Sequence, residues 1–348
     1  MRATTLHGAF DIRLAELPDP QIHRPTDALV RVTAACVCGS DLWPYRGINE
    51  SKPGQRIGHE FVGIVEQVGS DVATVRPGDF VIAPFAWSDN TCRVCRVGIQ
   101  TSCENGGWWG GRDREGLPVD AGQGEFVRVP LADGTLVATP EVPSADLVPD
   151  LLTLSDVMGT GWHCALSAGV RPGDTVAVVG DGAVGLCALL SARLQGATRI
   201  IAMSRHEARS AIAVEFGATE VVAERGEAGV ARVRDLTDGF GVDAALECVG
   251  TAESMRTALD LVRPGGRIGF VGVPHDVTVP IEDLFARNVH IGGGVAPVRE
   301  YLPALRDLVL AGEIHPGRVF DLTVPLADVA EAYAAMDQRR ATKAMLLP

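Results

Sequence analysis

The chain has 348 residues, 46% of them apolar, and a formal net charge of −13 at pH 7. That length holds about two domains and that apolar content fills a core in each, which excludes a disordered chain. The negative charge excludes nucleic acid and anionic membrane surfaces as main partners.

Residues 1–154 are dense in Gly, Pro and short alternating strings. Residues 28–34 and 61–65 alternate as strands do, and Pro77-Gly78-Asp79 turns the chain into a further strand at 80–82. The pattern predicts a mainly-β domain with irregular loops. It carries two short strings, Cys38-Gly39-Ser40-Asp41 and Gly58-His59-Glu60. A thiolate and an imidazole beside carboxylates suit a borderline-soft metal such as zinc. Alone, a single Cys and a single His are more often core residues.

Near residue 155 the character changes. Short apolar runs at 175–179, 199–203, 220–223, 243–247, 267–271 and 288–292 read as strands. Helical patterns at 183–194, 207–216, 227–236 and 254–262 separate several of them, which predicts a parallel, doubly wound sheet over 155–292. After residue 293, Leu302, Leu305, Leu308 and Val309 share one helical face, and Val329, Ala332, Tyr333 and Met336 share another. The doubly wound unit is therefore expected to interrupt a first domain made of 1–154 and 293–348.

The chain has eight cysteines. No apolar run reaches the ~18 residues of a membrane-spanning helix, and no leader-like stretch follows Met1. We expect no membrane partner and a reduced, cytoplasmic setting, where clustered Cys more often holds metal than disulfides.

Gly180-Asp181-Gly182-Ala183-Val184-Gly185 fits G-x-G-x-x-G between a predicted strand and a predicted helix. In that context Gly180 permits the turn, Gly182 lets the backbone approach a pyrophosphate, and Gly185 lets helix and sheet pack closely. The phosphates sit on the helix N-terminus, where Ala183 and Val184 begin the first turn. The next strand ends Ala202-Met203-Ser204-Arg205-His206, with no acid at 203–205 to bind the ribose hydroxyls of NAD. Ser204 and Arg205 suit a 2′-phosphate instead, so NADP(H) is expected over NAD(H). The competing reading is a solvated Arg205, with Glu207 turning inward for NAD.

These strings, with the cysteine cluster at 92–103 and Asp156-Val157-Met158-Gly159-Thr160-Gly161, come in the order found in the zinc-dependent alcohol dehydrogenases of the medium-chain dehydrogenase/reductase family. The chain resembles that family over nearly its whole length. The resemblance implies an α/β chain, with a GroES-like mainly-β catalytic domain and an inserted Rossmann domain. It implies hydride transfer between NADP(H) and an alcohol, aldehyde or ketone. It maps a catalytic zinc onto Cys38, His59 and Asp156, with Glu60 as an exchangeable ligand and Asp41 as the acceptor that orients His59. Asp156 by itself would read as a helix N-cap.

Further roles follow from the same resemblance. Ser40 matches the hydroxyl that starts a proton relay, but Trp43 stands where many members carry the next relay His. Asp89, Cys92, Cys95 and Cys103 match a structural-zinc lobe, with Asp in place of the first Cys. Three thiolates and Asp89 carry the same formal charge as four thiolates. A lobe that has lost its metal is the competing reading. Phe85, Trp43 and one of Trp108 and Trp109 are expected to shape an apolar pocket, the competing reading being that the tryptophans pack their loop down; no basic residue is evident to clamp a charged substrate. A homo-oligomer, tetramer or dimer, is implied. Two other functions fit the fold: a zinc-free quinone or enone reductase, and a non-catalytic NADP-binding protein. The combination of Cys38, His59 and Asp156 disfavours both.

Overall fold

The computed structural model describes all residues, Met1–Pro348. The chain divides into two compact units, Met1–Asp156 with Pro297–Pro348, and Val157–Ala296. These limits lie two and four residues beyond the expected 154 and 292. At the first limit the amide of Phe85 donates to Ser155 O at 2.9 Å, which ties this stretch to the mainly-β unit.

The first unit is built on a seven-stranded sheet. Its order is Val137–Ala138, Phe80–Ala83, Phe61–Val68, Ala28–Cys36, Ala344–Leu347 and Leu322–Pro325, with Phe126–Val129 also paired to Ala28–Cys36. Alternation of Val30 and Val32 with Arg31 turns one face of the central strand inward, and Phe61, Val65, Val81, Val127 and Tyr333 pack with it. Two pairings place the chemistry. Ala35 lies opposite Phe61 in an antiparallel pair, so the chain just beyond carries Cys38 on one side and His59 and Glu60 on the other. Met345 lies opposite Cys36, so the C-terminal strand brings Lys343 to the same end. The helices Val298–Leu310 and Val329–Asp337 bury Leu302, Leu305, Val309, Val329, Ala332, Tyr333 and Met336, while Leu308 is half-buried.

The second unit is a six-stranded, all-parallel sheet in the order Glu220–Val222, Arg199–Met203, Thr175–Val179, Val242–Glu247, Val262–Phe270, His290–Gly293. The order reverses beside Thr175–Val179, which is where doubly wound sheets bind dinucleotides. The helices Ala183–Leu194, Glu207–Glu215, Gly226–Leu236 and Ala252–Leu261 lie close to the expected spans. The strand expected at 267–271 begins earlier, because Val262 pairs with Val242 before the chain bulges and Arg267 resumes opposite Ala244. Turn chemistry in Pro264-Gly265-Gly266 hid that first pair. A short helix, Ile281–Arg287, precedes the last strand and was not anticipated. No helix is long and apolar enough to cross a membrane.

Candidate metal centres and dinucleotide site

The strand ends described above, together with the residue before the helix Val157–Ser167, bring four side chains together. Donor atoms of Cys38, His59, Glu60 and Asp156 all lie within 4.8 Å of one another. Cys38 Sγ is 3.5 Å from Asp156 Oδ2, and His59 Nε2 is 3.4 Å from the same oxygen. Bonds of about 2.0–2.3 Å to a tetrahedral zinc would separate neighbouring donors by roughly 3.3–3.8 Å. The donor set therefore fits zinc in both chemistry and spacing.

Electrostatics at this centre follow from burial. Burial pushes the Cys38 thiol up to about 11, and the carboxylates of Asp156 and Glu60 add to the shift. Burial opposes charge on His59, but Asp41, Cys38 and Asp156 outweigh it and raise its pKa well above the ordinary value. Asp41 Oδ1 lies 3.3 Å from His59 Nδ1, which leaves Nε2 facing Asp156. Asp41 is itself fixed: its other oxygen accepts from the Cys38 amide at 2.9 Å and from Gln123 Nε2 at 3.4 Å. Gln123 in turn accepts from the Tyr333 hydroxyl at 3.0 Å.

Glu60 is fully buried and held from two sides. Lys343 Nζ donates to its Oε1 at 2.7 Å, and the Cys36 thiol to its Oε2 at 3.2 Å. Neither partner was evident in sequence: Lys343 is 283 positions away, and Cys36 24.

Ser40 is half-buried two residues beyond Cys38, and Trp43 sits on the short helix Leu42–Tyr45 with the Arg46 guanidinium over its ring. Phe85 meets the His59 ring edge-on at 6.4 Å and stacks on Trp108 at 5.8 Å. The two tryptophans divide. Trp108 is half exposed, whereas Trp109 is buried edge-on to Phe61 and donates to Pro84 O at 2.8 Å. Trp109 thus packs its loop down. It also lines a cavity of about 110 Å³ with His59, Asp41, Leu6 and Arg56. Arg56 is a basic residue on this cavity that the sequence did not single out, and its guanidinium is paired with Asp120.

A second centre gathers Asp89, Cys92, Cys95 and Cys103, again with donor atoms within 4.8 Å of one another. The Cys92 and Cys103 sulfurs are 3.9 Å apart, close to the ~3.8 Å edge of a tetrahedral zinc thiolate. Amides of Cys95, Asp89 and Asn105 donate to these sulfurs at 3.3–3.4 Å. Burial works against charge on Asp89, but the amides of Thr91 and Cys92 and the Asn105 side chain hold its carboxyl well below the usual range. Asn105 was not singled out in sequence. This set also fits zinc.

In the second unit, Gly180 has φ +120°, which L side chains rarely adopt. A Cβ on Gly185 would lie 2.0 Å from Gly180 O, so turn and helix can close only with glycine there. Nothing lies within 4 Å of the Cβ position of Gly182, and the helix Ala183–Leu194 begins next to it. This is an open backbone cradle at a helix N-terminus, which fits a pyrophosphate. Ser204 is buried and donates to Asp181 Oδ2 at 3.1 Å, while Arg205 is exposed. Two arginines that sequence reasoning passed over also reach Asp181: Arg209 at 3.3 Å and Arg225 at 3.5 Å.

Residues 24–141 match the family model of the alcohol dehydrogenase GroES-like domain, and residues 183–311 match that of zinc-binding dehydrogenases. A zinc-type alcohol dehydrogenase B of Aspergillus flavus is 34% identical over 99% of this chain and 80% of its own length. The solved alcohol dehydrogenase TADH from Thermus sp. ATN1 superposes with a TM-score of 0.91 at 35% identity, covering 100% of this chain and 99% of the other. A zinc-binding dehydrogenase from Sinorhizobium meliloti, solved bound to NADP, gives a TM-score of 0.81 at 27% identity over 100% and 99% of the two chains. With both domain models matched in order and a relative 34% identical over 99% of this chain, the chain belongs to the zinc-dependent alcohol dehydrogenases of the medium-chain dehydrogenase/reductase family.

Proposed function

We propose that this alcohol dehydrogenase interconverts a neutral alcohol with its aldehyde or ketone, using NADP(H) and a zinc ion held by Cys38, His59 and Asp156. The observation that carries the reading is the 3.4–3.5 Å spacing of Cys38 Sγ and His59 Nε2 from Asp156 Oδ2. When bound, zinc supplies Lewis acidity toward the substrate oxygen, and the nicotinamide supplies or takes the hydride.

The chain's own residues do the rest. Asp41 accepts from His59 Nδ1 and so orients the ring with Nε2 toward the metal position. One thiolate, one carboxylate and one neutral imidazole balance a divalent ion. Lys343 and Cys36 occupy both Glu60 oxygens, which keeps Glu60 a reserve donor rather than a permanent third anion. Ser40 Oγ would accept the substrate's hydroxyl proton while giving its own hydroxyl proton to water. Trp43, unlike an imidazole, cannot accept a proton and so does not extend that relay. Phe85 and Trp108 present a stacked aromatic wall beside His59, which favours an uncharged substrate.

Ser204, Arg205 and the lack of an acid at 203–205 support NADP(H), as does the NADP-bound relative. Ala183 and Val184 open the helix that receives the pyrophosphate. We also assign a homo-oligomer, tetramer or dimer: the edge strand His290–Gly293 lacks an outer neighbour, and Phe285 before it is 85% exposed. The two cysteine-bearing donor clusters suit a reducing, cytoplasmic setting, where clustered Cys more often holds metal than disulfides.

Turnover on a panel of alcohols, aldehydes and ketones, with each cofactor and with zinc removed and restored, tests the reading. It predicts zinc-dependent turnover and a higher kcat/KM with NADP(H). Zinc-independent activity, or a strong preference for NAD(H), would defeat it.

A further inference from the structure

The fingerprint turn places a carboxylate where it meets two guanidinium groups. Asp181 is the first variable residue of that turn, and its Oδ1 is 3.3 Å from Arg209 Nη1. Its Oδ2 is 3.5 Å from Arg225 Nη2 and accepts from Ser204 at 3.1 Å. Ser210 donates in turn to Ser204 Oγ at 3.0 Å. Arg225 is pinned by a second bond, Nη1 to Met203 O at 2.8 Å. That carbonyl ends the strand Arg199–Met203, so a residue from the start of the helix Gly226–Leu236 is held at the tip of a strand that precedes it by 22 positions.

This tip is where a doubly wound sheet reads the adenosine ribose. An NAD-binding acid would occupy the strand end itself. Asp181 does not: it lies in the preceding turn, and its oxygens are taken up by Ser204, Arg209 and Arg225. Two guanidiniums here meet one carboxylate, and Arg205, next to Ser204 in sequence, is exposed. The Asp181 and Arg209 side chains are only 12% and 14% exposed, so solvent screens them weakly.

We propose that Arg209 and Arg225 are the residues that read the 2′-phosphate of NADP, and that Asp181 is an internal anion that holds them in position and competes with that phosphate. This rests on the NADP(H) reading above. Arg225, tethered to Met203 O, keeps its fork at the ribose position before the cofactor arrives, which lowers the ordering cost of binding. Asp181 limits the affinity, because a phosphate must share its two cationic partners. The cluster is then a specificity device as well as a brace between turn and helices.

The test is calorimetric binding of 2′,5′-ADP and 5′-AMP to the full-length, zinc-loaded protein. Wild type is expected to bind 2′,5′-ADP more tightly than 5′-AMP. Arg225→Ala and Arg209→Ala should each weaken 2′,5′-ADP by about 10–100-fold, the worth of a charge-assisted bond, and leave 5′-AMP within about twofold. Asp181→Asn should tighten 2′,5′-ADP by about 3–10-fold, since it keeps the shape and removes the competing charge. A wild type that binds the two ligands equally defeats the NADP(H) reading and this inference with it. A wild-type preference that survives both arginine substitutions leaves the NADP(H) reading standing on Ser204 and Arg205 and overturns only this inference. Loss of both ligands in the arginine variants, with no gain in Asp181→Asn, makes the cluster a structural clamp and also overturns it.

Discussion

Lys343 and Glu60 form a fully buried ion pair, 2.7 Å between Nζ and Oε1, directly behind the first metal centre. Burial alone would drive the ammonium toward neutrality, but Cys36 and Glu60 outweigh it and raise the Lys343 pKa well above its ordinary value. The Val37 carbonyl accepts a further bond from the same ammonium at 3.3 Å.

Removing one partner of this pair strands a charge without water. Lys343→Met should therefore lower unfolding stability by about 3–5 kcal/mol. Adding Glu60→Gln should recover part of the loss, because the stranded carboxylate is then neutral. Urea unfolding of the metal-loaded single and double variants measures both steps. Equal stability of Lys343→Met and wild type would remove the pair from the account.

Asp41 orients His59, so Asp41→Ala should weaken zinc at the first centre by about 10–100-fold, the usual cost of losing such a partner. Competition with a chromogenic chelator reads the affinity. The second centre should keep its metal in this variant, since its donors are held by separate amides.

The second centre predicts a stoichiometry. Elemental analysis should find two zinc ions per chain, one for each donor cluster. Asp89→Ala should reduce this to one and lower thermal stability, whereas Asp89→Cys should keep two. A single zinc in wild type would refute a metal role for Asp89, Cys92, Cys95 and Cys103.

Metal uptake at the first centre should depend on pH. Without metal the Cys38 thiol, pushed up to about 11, is protonated at neutral pH, and His59 holds its proton above the ordinary value. Both must deprotonate to ligate. Zinc affinity should thus rise with pH, by up to about tenfold per unit for each proton released, and uptake should acidify a weakly buffered solution. Affinity that falls between pH 6 and 9 would contradict the assignment.

Ser40 should matter to turnover and not to zinc content. Ser40→Ala should lower kcat by about 10²–10⁴-fold, the contribution of a positioned proton acceptor. Unchanged kcat would take Ser40 out of the mechanism.

Sequence reading reached what is local. The parallel strands announced themselves as short apolar runs, and the fingerprint by glycines whose φ and packing leave no alternative at Gly180 and Gly185. Cys38 and His59 were legible as strings beside strand ends. What was not legible depends on pairings across the chain. Lys343 reaches Glu60 only because the last strand pairs with Cys36 and Ala35. Gln123 reaches Asp41 across 82 positions, and Arg225 reaches the strand tip from another loop. Trp108 and Trp109 are neighbours in sequence but fare differently: Trp108 ends the short strand Gly107–Trp108 half exposed, and Trp109 begins the turn after it and is buried. Composition cannot choose between them.

Anomalous diffraction at the zinc absorption edge, on crystals of the purified protein, addresses the central claim most directly. The account predicts a peak bonded to Cys38 Sγ, His59 Nε2 and Asp156 Oδ2, with Glu60 still paired to Lys343. No zinc at that position, or a zinc held without Asp156, would contradict it.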